Sequence, residues 1–152
     1  MTPATISRGN SPTAQYLDNT SQANKQYLLN STTFSNQSAY EELVNVWNEC
    51  KTPNWDGYDS LPVLEETFIN TYLFIKALPL GYTLPSVGVE PDGHLTLEWY
   101  RHPRWTISIS ISPEGILYYA ALFGNSDVRG SEIFSGEISS NLFDLIKRAN
   151  IS

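Results

Sequence analysis

Residues 87–123, VGVEPDGHLTLEWYRHPRWTISISISPEGILYYAALF, hold three turn signals between runs of alternating residues, and the architecture follows from how those runs pair. In Glu90-Pro91-Asp92-Gly93-His94, Pro suits the second position of a type I turn. Gly supplies the left-handed residue of a three-residue hairpin loop. That turn pairs Val89 with Leu95 and Val87 with Leu97. The second turn surrounds Arg101-His102-Pro103-Arg104. Setting Tyr100 against Trp105 would bring Glu98 beside Ile107 and mix the faces. Setting Trp99 against Trp105 joins Leu97 to Ile107 and Leu95 to Ile109, and because a one-residue slip inverts every side chain, this register is expected. The third turn, Pro113-Glu114-Gly115, leads into 116–123, a run apolar on both parities that reads as an inner strand or one covered on both faces. A short strand near 131–134 follows Gly124-Asn125.

On either side of these strands the pattern turns helical. Ser38 and Glu41 fit a capping box, and Tyr40, Leu43, Trp47 and Cys50 recur behind them at helical spacing, giving a helix over about 39–50. Ser60, Leu61 and Pro62 signal the start of a second helix that runs to about Leu78, with Leu64, Phe68, Tyr72 and Ile75 on its apolar face. Pro79 and Gly81 end it. A third helix over about 140–149 carries Leu142, Leu145, Ile146 and Ala149, with Lys147 and Arg148 suiting its C-terminal dipole. The expected architecture is α+β: an antiparallel meander of four to five strands, two helices before it and one after. Residues 1–37 are rich in Ser, Thr, Asn, Gln, Pro and Gly without a period, and read as a polar, mobile arm ahead of a single domain over 38–152.

A chain of 152 residues suits one domain with a real core. Its formal charge of −7 is uneven. Residues 1–38 hold Arg8 and Lys25 against Asp18, which leaves fifteen acids against seven bases in 39–152. That balance argues against direct nucleic-acid binding, where Lys and Arg must neutralise phosphates. It fits a solvated acidic surface or one that offers carboxylates to a basic partner. No run suits a membrane span or a secretory signal, and the lone Cys50 forms no intrachain disulfide, so a cytoplasmic setting is expected.

Three constellations could carry function. On one sheet face the alternation gathers Glu90, His94, Thr96, Glu98, Thr106, Ser108 and Ser110, with Glu98 opposite Thr106 and His94 opposite Ser110. A His among carboxylates and hydroxyls can serve as a general acid or base, yet Ser and Thr alternating with apolar residues also describe an ordinary solvent face. In Asn54-Trp55-Asp56-Gly57-Tyr58-Asp59, Asp-Gly makes a turn, and its aromatics either anchor it or present a recognition loop of Trp55, Asp56, Tyr58 and Asp59. Arg129, in a core with few bases, would pair with Glu90 or Glu98. No ligand spacing for zinc, no EF-hand loop and no phosphate-cradling glycine loop is present, so no metal or cofactor and no catalytic residue is assigned. Cys50 lies on an apolar helix stripe and reads as an inert thiol.

Trp55-Asp56-Gly57-Tyr58, Glu90-Pro91-Asp92-Gly93, Leu97-Glu98-Trp99 and Arg129-Gly130 run in this order across 54–130, and the chain resembles a family of small bacterial proteins that carries them. The family has no established activity, so the resemblance transfers no catalytic residue. Its members resemble accessory genes of mobile elements and plasmids, which implies a partner-binding role in a toxin–antitoxin, immunity or phage–host conflict. The expected function is therefore a module that binds and neutralises or modulates another protein. The alternatives are a small enzyme using Glu90, His94 and Glu98, or an acidic mimic of nucleic acid.

Overall fold

The computed structural model describes residues 36–150, and the arm expected over 1–37 lies outside them except for its last two residues. Alternation in the central stretch produces five strands: β1 (Ser86–Val89), β2 (Leu95–His102), β3 (Trp105–Ile111), β4 (Ile116–Phe123) and β5 (Ser126–Ile133). They form one antiparallel sheet in the order β1-β2-β3-β4-β5, so each strand pairs with its neighbour in sequence. Helices α1 (Gln37–Cys50) and α2 (Glu65–Ala77) precede the sheet and α3 (Ser140–Asn150) follows it. The fold is α+β with the expected helix placement.

All three helices pack on one sheet face. Leu95, Leu97, Trp99, Ile107, Ile109, Ile111, Leu117, Ala121 and Phe123 point into that layer and are buried. Leu43 of α1, Phe74 and Ile75 of α2, and Leu142 and Ile146 of α3 close over them without solvent access. Burying a side chain of this size contributes about 1.5–3 kcal/mol, so this single layer supplies most of the driving force. Among the described residues no helix lies on the opposite face. There β4 turns Ile116, Tyr118, Ala120 and Leu122 outward, and among the described residues no element covers this second apolar parity. As expected, β4 is an inner strand, between β3 and β5.

Val89 pairs with Leu95 and Val87 with Leu97 across the first turn, as the sequence predicts. The second hairpin departs from expectation by two residues. Trp99 pairs with Ile107, Leu97 with Ile109 and Leu95 with Ile111. A slip of two leaves every side chain on its face, so alternation does not distinguish the two registers. The choice is made at the turn, where β2 continues to His102, an irregularity sits between Tyr100 and His102, and Trp105 pairs with His102 around Pro103-Arg104. Trp105 then packs edge-on against Phe123 and donates its indole N–H to the Arg148 carbonyl at 3.2 Å.

Other corrections concern element ends. The capping box is not formed: Asn36 precedes α1, no side chain caps it, and Ser38 lies inside the first turn. Residues 60–64 do not begin α2. They run extended because their N–H groups are used elsewhere, Val63 on the Cys50 carbonyl and Leu61 on the Pro91 carbonyl, both at 2.8 Å. β5 begins at Ser126, five residues before the predicted start, since Asp, Gly and Ser conceal strand character at an edge.

Candidate functional site

The loop over 51–64 is held by its own polar groups. Asn54 donates its backbone N–H to Ser60 at 2.8 Å, and its side-chain carbonyl accepts from the Asp59 N–H at 2.8 Å. Asp56 Oδ1 accepts the N–H of Tyr58 at 2.8 Å and that of Ser60 at 3.3 Å. The bond from Tyr58, more than any other contact, holds the Asp56 carboxyl below its ordinary value, with Ser60 adding to the effect against some desolvation. Trp55 donates its indole N–H to the Leu61 carbonyl at 2.8 Å and packs on the core. Trp55 therefore anchors, and Asp56 builds the turn. Tyr58 has no such role and stands 88% exposed on the braced loop. Leu61 is also exposed, and Asp59 holds a left-handed φ of 63°.

This loop meets the β1–β2 turn, a juxtaposition that the sequence does not predict. Leu61 bonds to Pro91, and Gly93 sits so close to the Pro62 carbonyl that a Cβ on it would lie 2.7 Å from that oxygen. The aromatic loop and the Glu90–His94 turn thus share one end of the molecule.

At that turn, Glu90 accepts a short hydrogen bond from the Thr96 hydroxyl. His94 Nδ1 lies 3.1 Å from Ser110 Oγ and 3.7 Å from Asp92 Oδ2, and its ring stacks on Tyr118. A proton relay needs the hydroxyl on one ring nitrogen and the carboxylate on the other. Here both approach Nδ1, so Ser110 is not activated by a relay. Glu90, Asp92 and His94 offer donor atoms within 4.8 Å of one another, the one such grouping among the described residues. A divalent ion held there would take three protein donors and complete its shell with water. Asp92, however, is already committed to the turn, its Oδ1 accepting the His94 N–H at 3.0 Å.

Beyond the turn, Glu90, Thr96, Ser108, Ser110, Tyr118 and Ala120 line an open depression of about 370 Å³. The shifted register puts Glu98 opposite Ser108, with the hydroxyl 3.5 Å from its carboxylate, rather than opposite Thr106. His94 reaches Ser110 as expected, but Ser110 pairs with Thr96 in the ladder. Arg129 joins neither Glu90 nor Glu98. It lies on β5 beside Ala120 and binds Asp127 through Nε and Nη2, both at 3.2 Å. An i, i+2 partner on the same strand face was available, and Glu98 is three strands away.

Sequence reasoning missed a second surface. Glu41, Asn45 and Glu49 recur every four residues on α1 and, with Glu42, line a groove of about 710 Å³ against Leu84, Pro85 and Ser86. Glu42 Oε1 accepts the Val87 N–H at 3.1 Å. The spacing of these polar residues was legible; that they would face the segment leading into β1 was not. Cys50 is buried, and burial first, Glu49 second, pushes its thiol pKa up, as suits an inert thiol. Among the described residues no helix is long and apolar enough to cross a membrane. Comparison with protein-family models, curated proteins and solved structures finds no match.

Proposed function

We propose that this chain is a protein-binding module that neutralises or modulates a partner, contacting it through Tyr58 and Leu61 with Asp59 and Asp92 around them. The observation that carries the reading is Tyr58, held in water by a loop whose backbone is fixed by Asn54, Asp56 and Ser60. An aromatic side chain on a pre-formed loop loses little freedom on binding and supplies large contact area, which is how binding hot spots are built. The acids of the domain draw a basic partner in through a field that salt weakens. The resemblance described above adds the setting, a conflict between mobile element and bacterial host, and the lone Cys50 suits a cytoplasmic location. The binding reading is preferred to the enzyme reading because His94 meets Ser110 and Asp92 through one nitrogen, which forms no serine relay, and Arg129 is engaged with Asp127.

The test is capture from a lysate of the host with the full chain beside Tyr58→Ala, folding checked by circular dichroism and retained proteins identified by mass spectrometry. A protein held by the parent, depleted with the variant and captured more slowly in salt is expected. Equal retention by both chains, indifferent to salt, would move the contact off this loop.

A further inference from the structure

The two edges of the sheet are finished differently. At the β1 edge, α1 lies alongside and Glu42 takes the N–H of Val87, which closes a four-residue strand. The β5 edge is eight residues long, and among the described residues no hydrogen bond from elsewhere in the chain reaches its outer side. Half of the N–H and C=O groups of β5 face away from β4, a row ready to pair with another strand. Charges often blunt such an edge. On the open sheet face of β5 they are Asp127 and Arg129, two residues apart and exposed to 54% and 76%, while the third charge, Glu132, lies on the helix-covered face opposite Leu117.

We propose that β5 pairs antiparallel with β5 of a second copy of this chain, in the register that sets Val128 opposite Val128. Only then do both charges of the open face oppose their complements: Asp127 meets Arg129 of the second copy, Arg129 meets its Asp127, and Glu132 falls beyond the paired stretch, opposite Gly124. One step toward the C-terminus opposes arginine to arginine, and one step toward the N-terminus opposes aspartate to aspartate. Like charges directly opposite destabilise a ladder and opposite ones support it. Registers further along β5 put Asp127 or Arg129 against Ile133, or Glu132 against Glu132. On the helix-covered side the same register joins the two half-buried Val128 side chains and sets Ser126 against Gly130. Gly130 is already overlaid by the Tyr119 ring, which fills the place a Cβ would take. The pairing is two-fold and closes, because Glu42 bars the β1 edge from extending it into a filament. The result is a continuous ten-stranded sheet with α1, α2 and α3 of both copies on one side.

The experiment measures the mass of the full chain in solution by light scattering over a concentration series, for the parent, Asp127→Arg, Arg129→Asp and the double exchange. Both positions are exposed, so all four chains should fold, and circular dichroism verifies it. Expected are twice the chain mass for the parent, a fall to the monomer for each single reversal, and return of the dimer in the double exchange. Mixing the two single variants should also give a dimer, since one then carries two arginines and the other two aspartates. A parent that stays monomeric up to its solubility limit overturns the proposal. So does a dimer that survives both single reversals.

Discussion

At single residues, backbone conformation near the site is set by a few positions whose substitution has a computable sign. Gly93 has φ of +89°, and a Cβ there would press on the Pro62 carbonyl, a backbone atom that cannot swing aside. Gly124 has φ of +66° with nothing within 4 Å of its Cβ position. Gly124→Ala should therefore cost only the conformational strain, about 1–2 kcal/mol, and Gly93→Ala more, roughly 2–4 kcal/mol, because loop and turn must part. Urea unfolding of both variants separates strain from clash, and equal losses would mean that the Pro62–Gly93 contact yields freely. Asp56 gives a pH signature. Its carboxyl is held below the ordinary value by the Tyr58 N–H, so the loop is fully supported above the unfolded Asp value near ~3.9. That support is lost as pH falls through the lower native value. The amide resonances of Tyr58 and Ser60 should shift with a midpoint below ~3.9, whereas a midpoint at or above it would show that the carboxylate is not holding the turn.

Among the elements, the open sheet face tests the register directly. Ile107 is fully buried, and Ile107→Asp places an unpaired charge in the core at a cost of roughly 3 kcal/mol or more. Ser108 faces the other way, opposite Glu98. Ser108→Asp should destabilise by about 0.2–1 kcal/mol through like-charge opposition, and Ser108→Lys should be neutral or slightly stabilising. In the register expected from sequence, Ser108 would sit opposite Thr96 and the two variants would behave alike, so their difference in chemical denaturation decides between the registers. This element also marks the limit of what alternation reveals. Period-two patterning assigned the faces of β2 and β3, because burying Leu95, Leu97, Trp99 and the isoleucines outweighs every other preference of these strands, but it could not assign those of β4, which is apolar on both parities. It was silent on a slip of two, which costs no burial and is settled by the backbone irregularity before His102. The β5 strand was only partly legible for the opposite reason: an edge strand buries too little for its pattern to show.

For the whole molecule, the fold was more legible than the site. Hydrophobic period reveals what the core requires, and the core built the sheet and placed the helices. Which loops come together is decided by long-range backbone bonds such as Leu61 to Pro91, and a single sequence carries no signal for these. The loop with Tyr58 is braced on the β1–β2 turn, while the Asp127–Arg129 pair lies on β5, and the strands β1 and β5 are four inter-strand spacings apart, about 19 Å. Sites so separated, sharing no partner, act additively. Tyr58→Ala should therefore leave the solution mass unchanged, and the double exchange at 127 and 129 should leave partner capture unchanged. Combining all three substitutions should weaken capture by the same factor as Tyr58→Ala alone, measured by the same retention assay at fixed salt. Loss of capture in the double exchange would show that the partner contacts the β5 edge itself or requires the paired form, and the two surfaces would then have to be treated as one.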